Sequence, residues 1–141
     1  MNKMLAGMIA GLAATVVLSV LMVVKGMMGL MPDVDVIQML AKQMSSGTAM
    51  GWVAHFMIGV VGYGIAYARL FSKLPFGGHA LRGLVLGVAG WLAMMLMLMP
   101  MMGAGLFGLQ MPSGMMAPVA TLMLHAIFGV VLGLVFAKLA R

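Results

Sequence analysis

Two histidines offer the most distinctive chemistry in this sequence, because each lies inside a long apolar segment. His55 begins the segment HFMIGVV and His125 begins the segment HAIFGVV, so both share the pattern His-x-x-x-Gly-Val-Val. An ionisable side chain within an apolar segment is costly to bury, so it usually has a polar partner or a function. The paired histidines are therefore the candidate site.

Such a pair could bind haem or a metal ion, or it could have a purely structural role. Two inward-facing imidazoles could ligate the iron of a haem b axially, with the glycine four residues after each histidine making room for the ring. They could instead bind copper together with the soft thioether of Met95. Zinc fits less well, since no carboxylate or thiolate lies nearby in the sequence. The structural alternative is a hydrogen bond to Ser19, Thr121 or a backbone carbonyl.

The composition is typical of an integral membrane protein. The chain has 141 residues, of which 65% are hydrophobic and 7% charged. A soluble domain of this size needs a larger polar surface. In a membrane protein, a net charge of +6 reflects its orientation across the bilayer and its contact with anionic lipid. It does not indicate nucleic-acid binding. The 21 methionines are mainly flexible apolar packing residues, with copper ligation as the alternative.

Hydropathy predicts an all-α protein with four membrane spans in one domain. The spans cover about residues 4–24, 48–68, 83–102 and 115–137, each long enough to cross a bilayer. Between the first two, an amphipathic helix is expected at about 33–44, lying on the membrane surface or across the mouth of the bundle. Asp33 is the expected N-cap of this helix and Asp35 falls in its first turn.

The distribution of basic residues predicts the orientation. Six of them flank the spans on the side of the chain termini, whereas only Lys25 and Lys42 lie on the other side, beside the two aspartates. The positive-inside rule then places both termini in the cytoplasm of a bacterial cell, with the protein in the inner membrane.

An internal duplication relates the two halves of the chain. His125 lies 70 positions after His55, while Gly83 and Gly87 lie 76 positions after Gly7 and Gly11. We expect two tandem helical hairpins in a four-helix bundle, related by an axis along the membrane normal. Equivalent residues would then lie at equal depth, which places both imidazoles together.

Small residues on one face of each span predict where helices approach closely. On the second span, this face contains Thr48, His55, Gly62 and Ala66 together with two packing glycines. The expected helix-packing glycines are Gly7, Gly11, Gly51, Gly59, Gly83, Gly87, Gly129 and Gly133.

Several loose motifs resemble a family of small, uncharacterised four-helix bacterial inner-membrane proteins. They are Ala6-Gly7-x-x-x-Gly11, the turn Met31-Pro32-Asp33, and Gly51-x-x-x-His55-x-x-x-Gly59. The resemblance covers most of the chain and implies a fold but no activity.

Little in the sequence indicates an enzyme. Asp33 and Asp35 are the only side-chain carboxylates, and the chain has no phosphate loop or acidic metal cluster. We therefore expect a non-enzymatic accessory or structural subunit of a larger membrane complex, or a self-associating protein. A haem- or copper-binding protein is the alternative, and an oligomeric small-solute transporter or channel comes third.

Overall fold

The computed structural model describes residues 1–141, and every regular element in it is helical. Four helices are long and apolar enough to cross a membrane, and a fifth is short. The elements are α1 (Lys3–Met27), α2 (Val36–Gln43), α3 (Thr48–Lys73), α4 (His79–Met101) and α5 (Met116–Leu139). Many large apolar side chains on the long helices face outward, as expected for helices surrounded by lipid.

The long helices pack as antiparallel neighbours. α1 lies against α3, α4 lies against α5, and α1 also contacts α5. Both chain termini and the α3–α4 connection lie at one end, which we call the terminal end. The α1–α2 connection, α2 and the α4–α5 connection lie at the opposite end, which we call the far end. Asp33 and Ser113 join two of these connections by hydrogen bonds.

Backbone contacts at glycine explain why α1 and α3 can approach so closely. A Cβ atom on Gly7 or Gly11 would overlap the backbone of α3, and one on Gly59 would overlap Thr15 of α1. In the same way, Gly83 and Gly129 face each other between α4 and α5. All eight glycines expected at helix contacts are buried. At these positions any side chain would separate the helices.

The residues on the α1-facing side of α3 differ from those that regular α-helical spacing predicts. Residues Ile58–Tyr63 form π-helical turns, in which each hydrogen bond spans five residues. The contact with α1 therefore passes from Gly59 to Gly64, five positions on. Gly62, expected on the contact face, is exposed and has no atom within 4 Å of an added Cβ.

Helix α2 begins later than the sequence suggests. Asp35 is its N-cap and accepts a hydrogen bond from the backbone N–H of Gln38 at 3.1 Å. The expected N-cap, Asp33, accepts instead from the backbone N–H and the hydroxyl of Ser113. That tertiary partner removes Asp33 from the helix start, so the capping prediction was wrong by two residues.

Two apolar clusters occupy the interior at different depths. The cluster nearer the terminal end combines alanines of α1 with aromatic rings, including Tyr67 and Phe136 at a centroid distance of 5.0 Å. The cluster nearer the far end is rich in methionine and includes Met39 of α2 and Met99 of α4. A cavity lies between these clusters.

Candidate functional site

A cavity of about 500 Å³ lies among the helices, and both His55 and His125 contribute to its wall. Its wall is mostly apolar and includes residues of all five helices. The rings of Tyr63 and Phe128, packed edge to face at 4.9 Å, lie where the cavity meets the alanine-rich cluster. At the other extreme, Lys25 and the α1–α2 connection form part of the wall. The cavity therefore extends from the two histidines toward the far end.

His55 is held by a chain of hydrogen bonds that begins on α1. The Ser19 hydroxyl donates to the backbone oxygen of Thr15 at 2.6 Å, and His55 Nε2 lies 3.2 Å from the Ser19 oxygen. The Thr15 oxygen can only accept and is the closer partner, so we assign the single hydroxyl hydrogen to it and the imidazole as the donor to Ser19. Neutral His55 thus carries its proton on Nε2.

The other nitrogen of His55 stays available. Nδ1 has no protein partner, and because no buried polar atom lacks a hydrogen bond, this nitrogen retains accessible surface. The side chain as a whole is only 8% exposed. Trp52 lies edge to face with the His55 ring at a centroid distance of 5.9 Å and shares the cavity wall, so an aromatic surface lies beside this histidine.

His125 has the opposite arrangement. Its Nδ1 lies 2.8 Å from the backbone oxygen of Thr121, one turn earlier on the same helix. A carbonyl can only accept, so Nδ1 carries the proton and Nε2 keeps its lone pair. No protein group bonds this Nε2. Both histidines therefore contribute one unused acceptor nitrogen.

A tryptophan that sequence analysis did not single out positions the His125 side of the site. Trp91 donates its indole N–H to Pro118 O at 3.0 Å and to Thr121 Oγ1 at 3.1 Å. These bonds tie α4 to the turn of α5 that orients His125. Gly87 completes the contact, because an added Cβ there would overlap the backbone oxygen of His125. The only sequence signal was that Trp91 is one of two tryptophans in the chain.

The sulfur ligand expected from the sequence lies elsewhere. Met95 is fully buried in the methionine-rich cluster and is absent from the cavity wall, whereas its neighbour Met94 belongs to that wall. Adjacent residues of a helix point about 100° apart, and π-helical turns begin here, at Met94–Leu98. Met22 and Met31 are further thioethers in the wall.

Lys25 has a structural role in the far part of the cavity wall. Its ammonium group donates to the backbone oxygens of Leu30, Met31 and Val34 at 3.1, 3.0 and 2.8 Å. An ammonium group has three donors, so these bonds use all of them. Lys25 thus holds the α1–α2 connection in place and is not a free cation in the cavity.

The two aspartates also have structural partners. Hydrogen bonds from Ser113, of which that from its hydroxyl is the strongest influence, lower the pKa of Asp33 below its usual 3.8. Asp35 contributes to the cavity wall, and its carboxylate caps α2. The third histidine, His79, lies at the start of α4, where Tyr67 Oη is 2.9 Å from its Nδ1, away from the cavity.

Comparison with known proteins places the whole chain in one family. A family model described as "Family of unknown function (DUF6789)" matches residues 1–141, so the chain belongs to this family. No curated protein and no solved structure matches the chain.

Proposed function

We propose that this is a non-enzymatic, multi-pass membrane protein that binds a small molecule in the cavity between His55 and His125. One observation carries the proposal: two histidines from different helices face a single cavity of about 500 Å³. Ligand sites typically have volumes of about 300–1,000 Å³, mostly apolar walls and a few convergent polar groups. The two available imidazole nitrogens are such groups.

The surroundings of the cavity favour binding over catalysis. Asp33 and Lys25 hold loop contacts, and Asp35 caps α2, so none of these charged groups is placed by its contacts beside the two histidines. Acid–base catalysis needs a group positioned to accept or donate a proton in the reaction. The histidines are the remaining candidates, and each uses one nitrogen for a structural bond.

In the cell, we place the protein in a bacterial inner membrane with both termini in the cytoplasm. The basic residues near the terminal end support this orientation. We propose that it serves as an accessory subunit, through contacts of its outward apolar faces with other membrane proteins or with copies of itself. Tandem hairpin repeats are supported by the matching pairs α1–α3 and α4–α5, each joined through glycine.

Native mass spectrometry of the protein released from lipid nanodiscs tests the binding function. The full-length protein should retain a small-molecule adduct of defined mass. The double variant His55→Leu/His125→Leu should lose it, while His79→Gln, changed outside the cavity, should keep it. Equal retention by all three proteins, or no adduct in any, would contradict the proposal.

Haem b or copper is a second candidate ligand, favoured by the two free nitrogens and by the thioether of Met94 in the same wall. For haem, ligation through Nε2 of His55 would have to replace its bond to Ser19. Copper would bind the soft sulfur and the imidazoles directly. An absorption spectrum and a metal analysis of gently purified protein separate these cases: a Soret band indicates haem, and stoichiometric copper indicates the metal.

A further inference from the structure

The two imidazoles define what kind of ligand the cavity recognises. His55 Nδ1 and His125 Nε2 are the two nitrogens without a protein partner, and both are acceptors. A neutral ligand that uses both of them must therefore bring two hydrogen-bond donors. A ligand with acceptors only, such as a diketone or a diether, would leave both nitrogens without partners.

Charge around the cavity indicates that this ligand is neutral. The Lys25 ammonium donates three hydrogen bonds to backbone oxygens, and the Asp35 carboxylate caps α2 at the far end. Neither charge lies beside the histidines as a free partner. Bringing an unpaired ion into this apolar space would carry a large desolvation cost.

Aromatic rings around the cavity indicate the body of the ligand. Trp52, Tyr63 and Phe128 all contribute to the wall, and Trp52 lies beside the His55 ring. Such rings pack well against a flat aromatic molecule. The cavity volume leaves room for a molecule, whereas direct coordination of a bare ion needs ligand atoms about 2 Å from the metal.

We propose that the cavity binds a neutral aromatic diol of the hydroquinone class, whose two hydroxyl groups donate to His55 Nδ1 and His125 Nε2. This inference rests on the proposed binding function and specifies its ligand. An alkyl substituent on the diol would lie along the apolar wall toward the far end, where Met22 and Leu18 of α1 line the cavity.

Equilibrium binding to three matched probes tests the inference on the full-length protein in nanodiscs. The probes are a decyl-substituted hydroquinone kept reduced, its mono-O-methyl ether and its di-O-methyl ether, which share one ring and one alkyl chain and have two, one and no donors. The hydroquinone should bind at one site per chain. It should bind at least about tenfold more tightly than the dimethyl ether, because loss of a donor leaves a polar group of the site unpaired.

Variants show whether the histidines cause this preference. His55→Leu and His125→Leu should each reduce the discrimination between the hydroquinone and the mono-ether, whereas His79→Gln should leave it unchanged. Unchanged discrimination in both cavity variants would overturn the inference, even if binding persisted.

The failures of the two proposals differ. If all three probes bind equally, the cavity binds ligands but donor recognition is wrong. If none binds and native mass spectrometry finds no adduct, the binding function itself is wrong. Stoichiometric copper(I) binding that removes the preference for the hydroquinone would assign the nitrogens to a metal and overturn the inference.

Discussion

The hydrogen-bond partner of each histidine decides which of its ring nitrogens is free, and neither partner is a direct neighbour in the sequence. His55 is bonded across helices to Ser19, while His125 is bonded to the backbone of its own helix at Thr121. The two histidines occupy corresponding positions in the shared sequence pattern, yet their environments make them opposite tautomers. A site made of two like residues can in this way present two different nitrogens.

Nitrogen-15 NMR of histidine-labelled protein in detergent measures the tautomers directly. We expect His55 to be protonated at Nε2 and His125 at Nδ1, with resonances assigned by single His→Gln variants. Ser19→Ala removes the acceptor of His55 and should shift the His55 signals alone, at a stability cost of about 1–3 kcal/mol for the orphaned donor. The same tautomer at both positions would contradict the hydrogen-bond assignment.

Asp33 shows how one carboxylate joins two connections. Because the fold lowers the pKa of Asp33, its contribution to stability is present above the usual value of 3.8 and is lost as the pH falls through the lower value in the folded protein. Asp33→Asn should lower the free energy of unfolding at pH 7 by about 1 kcal/mol, because the pair with Ser113 is only partly buried.

Thermal unfolding at several pH values provides the measurement. The difference in melting temperature between wild type and Asp33→Asn should begin to shrink as the pH falls below 3.8, where the carboxylate of the unfolded chain becomes protonated, and should disappear as the pH passes the lower pKa of the folded protein. Asp35→Asn, which also removes a carboxylate, leaves the Ser113 contact intact and serves as the control. A difference that stays constant down to pH 2 would show that Asp33 acts without its charge.

At the level of helices, close packing depends on where glycine lies and on how the helix is wound. Gly129 faces the backbone of α4, and an added Cβ would overlap Gly83 O and approach Gly87 Cα. Gly62 lies in α3 on an exposed face, with nothing near an added Cβ. The same substitution at the two positions should therefore have opposite effects.

Gly129→Ala should destabilise the protein by about 1–3 kcal/mol, because backbone atoms cannot move aside for the methyl group. Gly62→Ala should be neutral or stabilising by up to about 1 kcal/mol, as expected for alanine replacing glycine in a helix. Melting temperatures in one detergent compare the two. If both variants behave alike, packing at Gly129 does not hold α4 and α5 together.

Local sequence predicted some parts of this structure well and others not at all. The existence of four long apolar helices depends on the length of apolar runs, which can be counted along the chain. The π-helical turns depend on how Gly59 and Gly64 meet α1, a contact between distant segments. Because the prediction assumed regular α-helical spacing, it put Gly62 on the contact face, where the structure has it exposed. It also predicted Met95 in the site, whereas the cavity wall contains Met94.

The sequence predicted that the two candidate histidines lie together, but not what surrounds them. A shared pattern indicated that His55 and His125 belong together, and both do line one cavity. The partners that fix their tautomers could not be predicted, because Ser19 was one option among several and the role of Trp91 depends on α4 lying beside α5. Asp33 was misassigned because Ser113 is 80 residues away in the chain.

At the scale of the whole molecule, the cavity occupies the half of the bundle near the far end, whereas the half near the terminal end is filled by side chains. The half near the terminal end is filled by alanines and by edge-to-face aromatic pairs such as Tyr67 and Phe136. A solute crossing this conformation would have to separate the pair Tyr63–Phe128 and then this cluster. The architecture thus fits a binding site approached from the far end better than a continuous channel.

Which side of the membrane the cavity faces follows from orientation, and this can be tested with single cysteines. The chain has no native cysteine, so each introduced thiol is unique and the unmodified protein gives the background. Ser46, between α2 and α3, and Phe76, between α3 and α4, are both exposed and lie at opposite ends of the helices. In the proposed orientation, which follows from the basic residues, the connection with Phe76 lies in the cytoplasm.

A membrane-impermeant maleimide should label Ser46→Cys in intact cells, whereas Phe76→Cys should react only after the membrane is permeabilised. The reverse pattern would keep four crossings but turn the cavity toward the cytoplasm, so its ligand would have to come from there. Labelling of both cysteines from the same side would contradict the four-crossing topology itself. The first outcome would place the approach to His55 and His125 at the outer face of the membrane, within reach of apolar molecules in the outer leaflet.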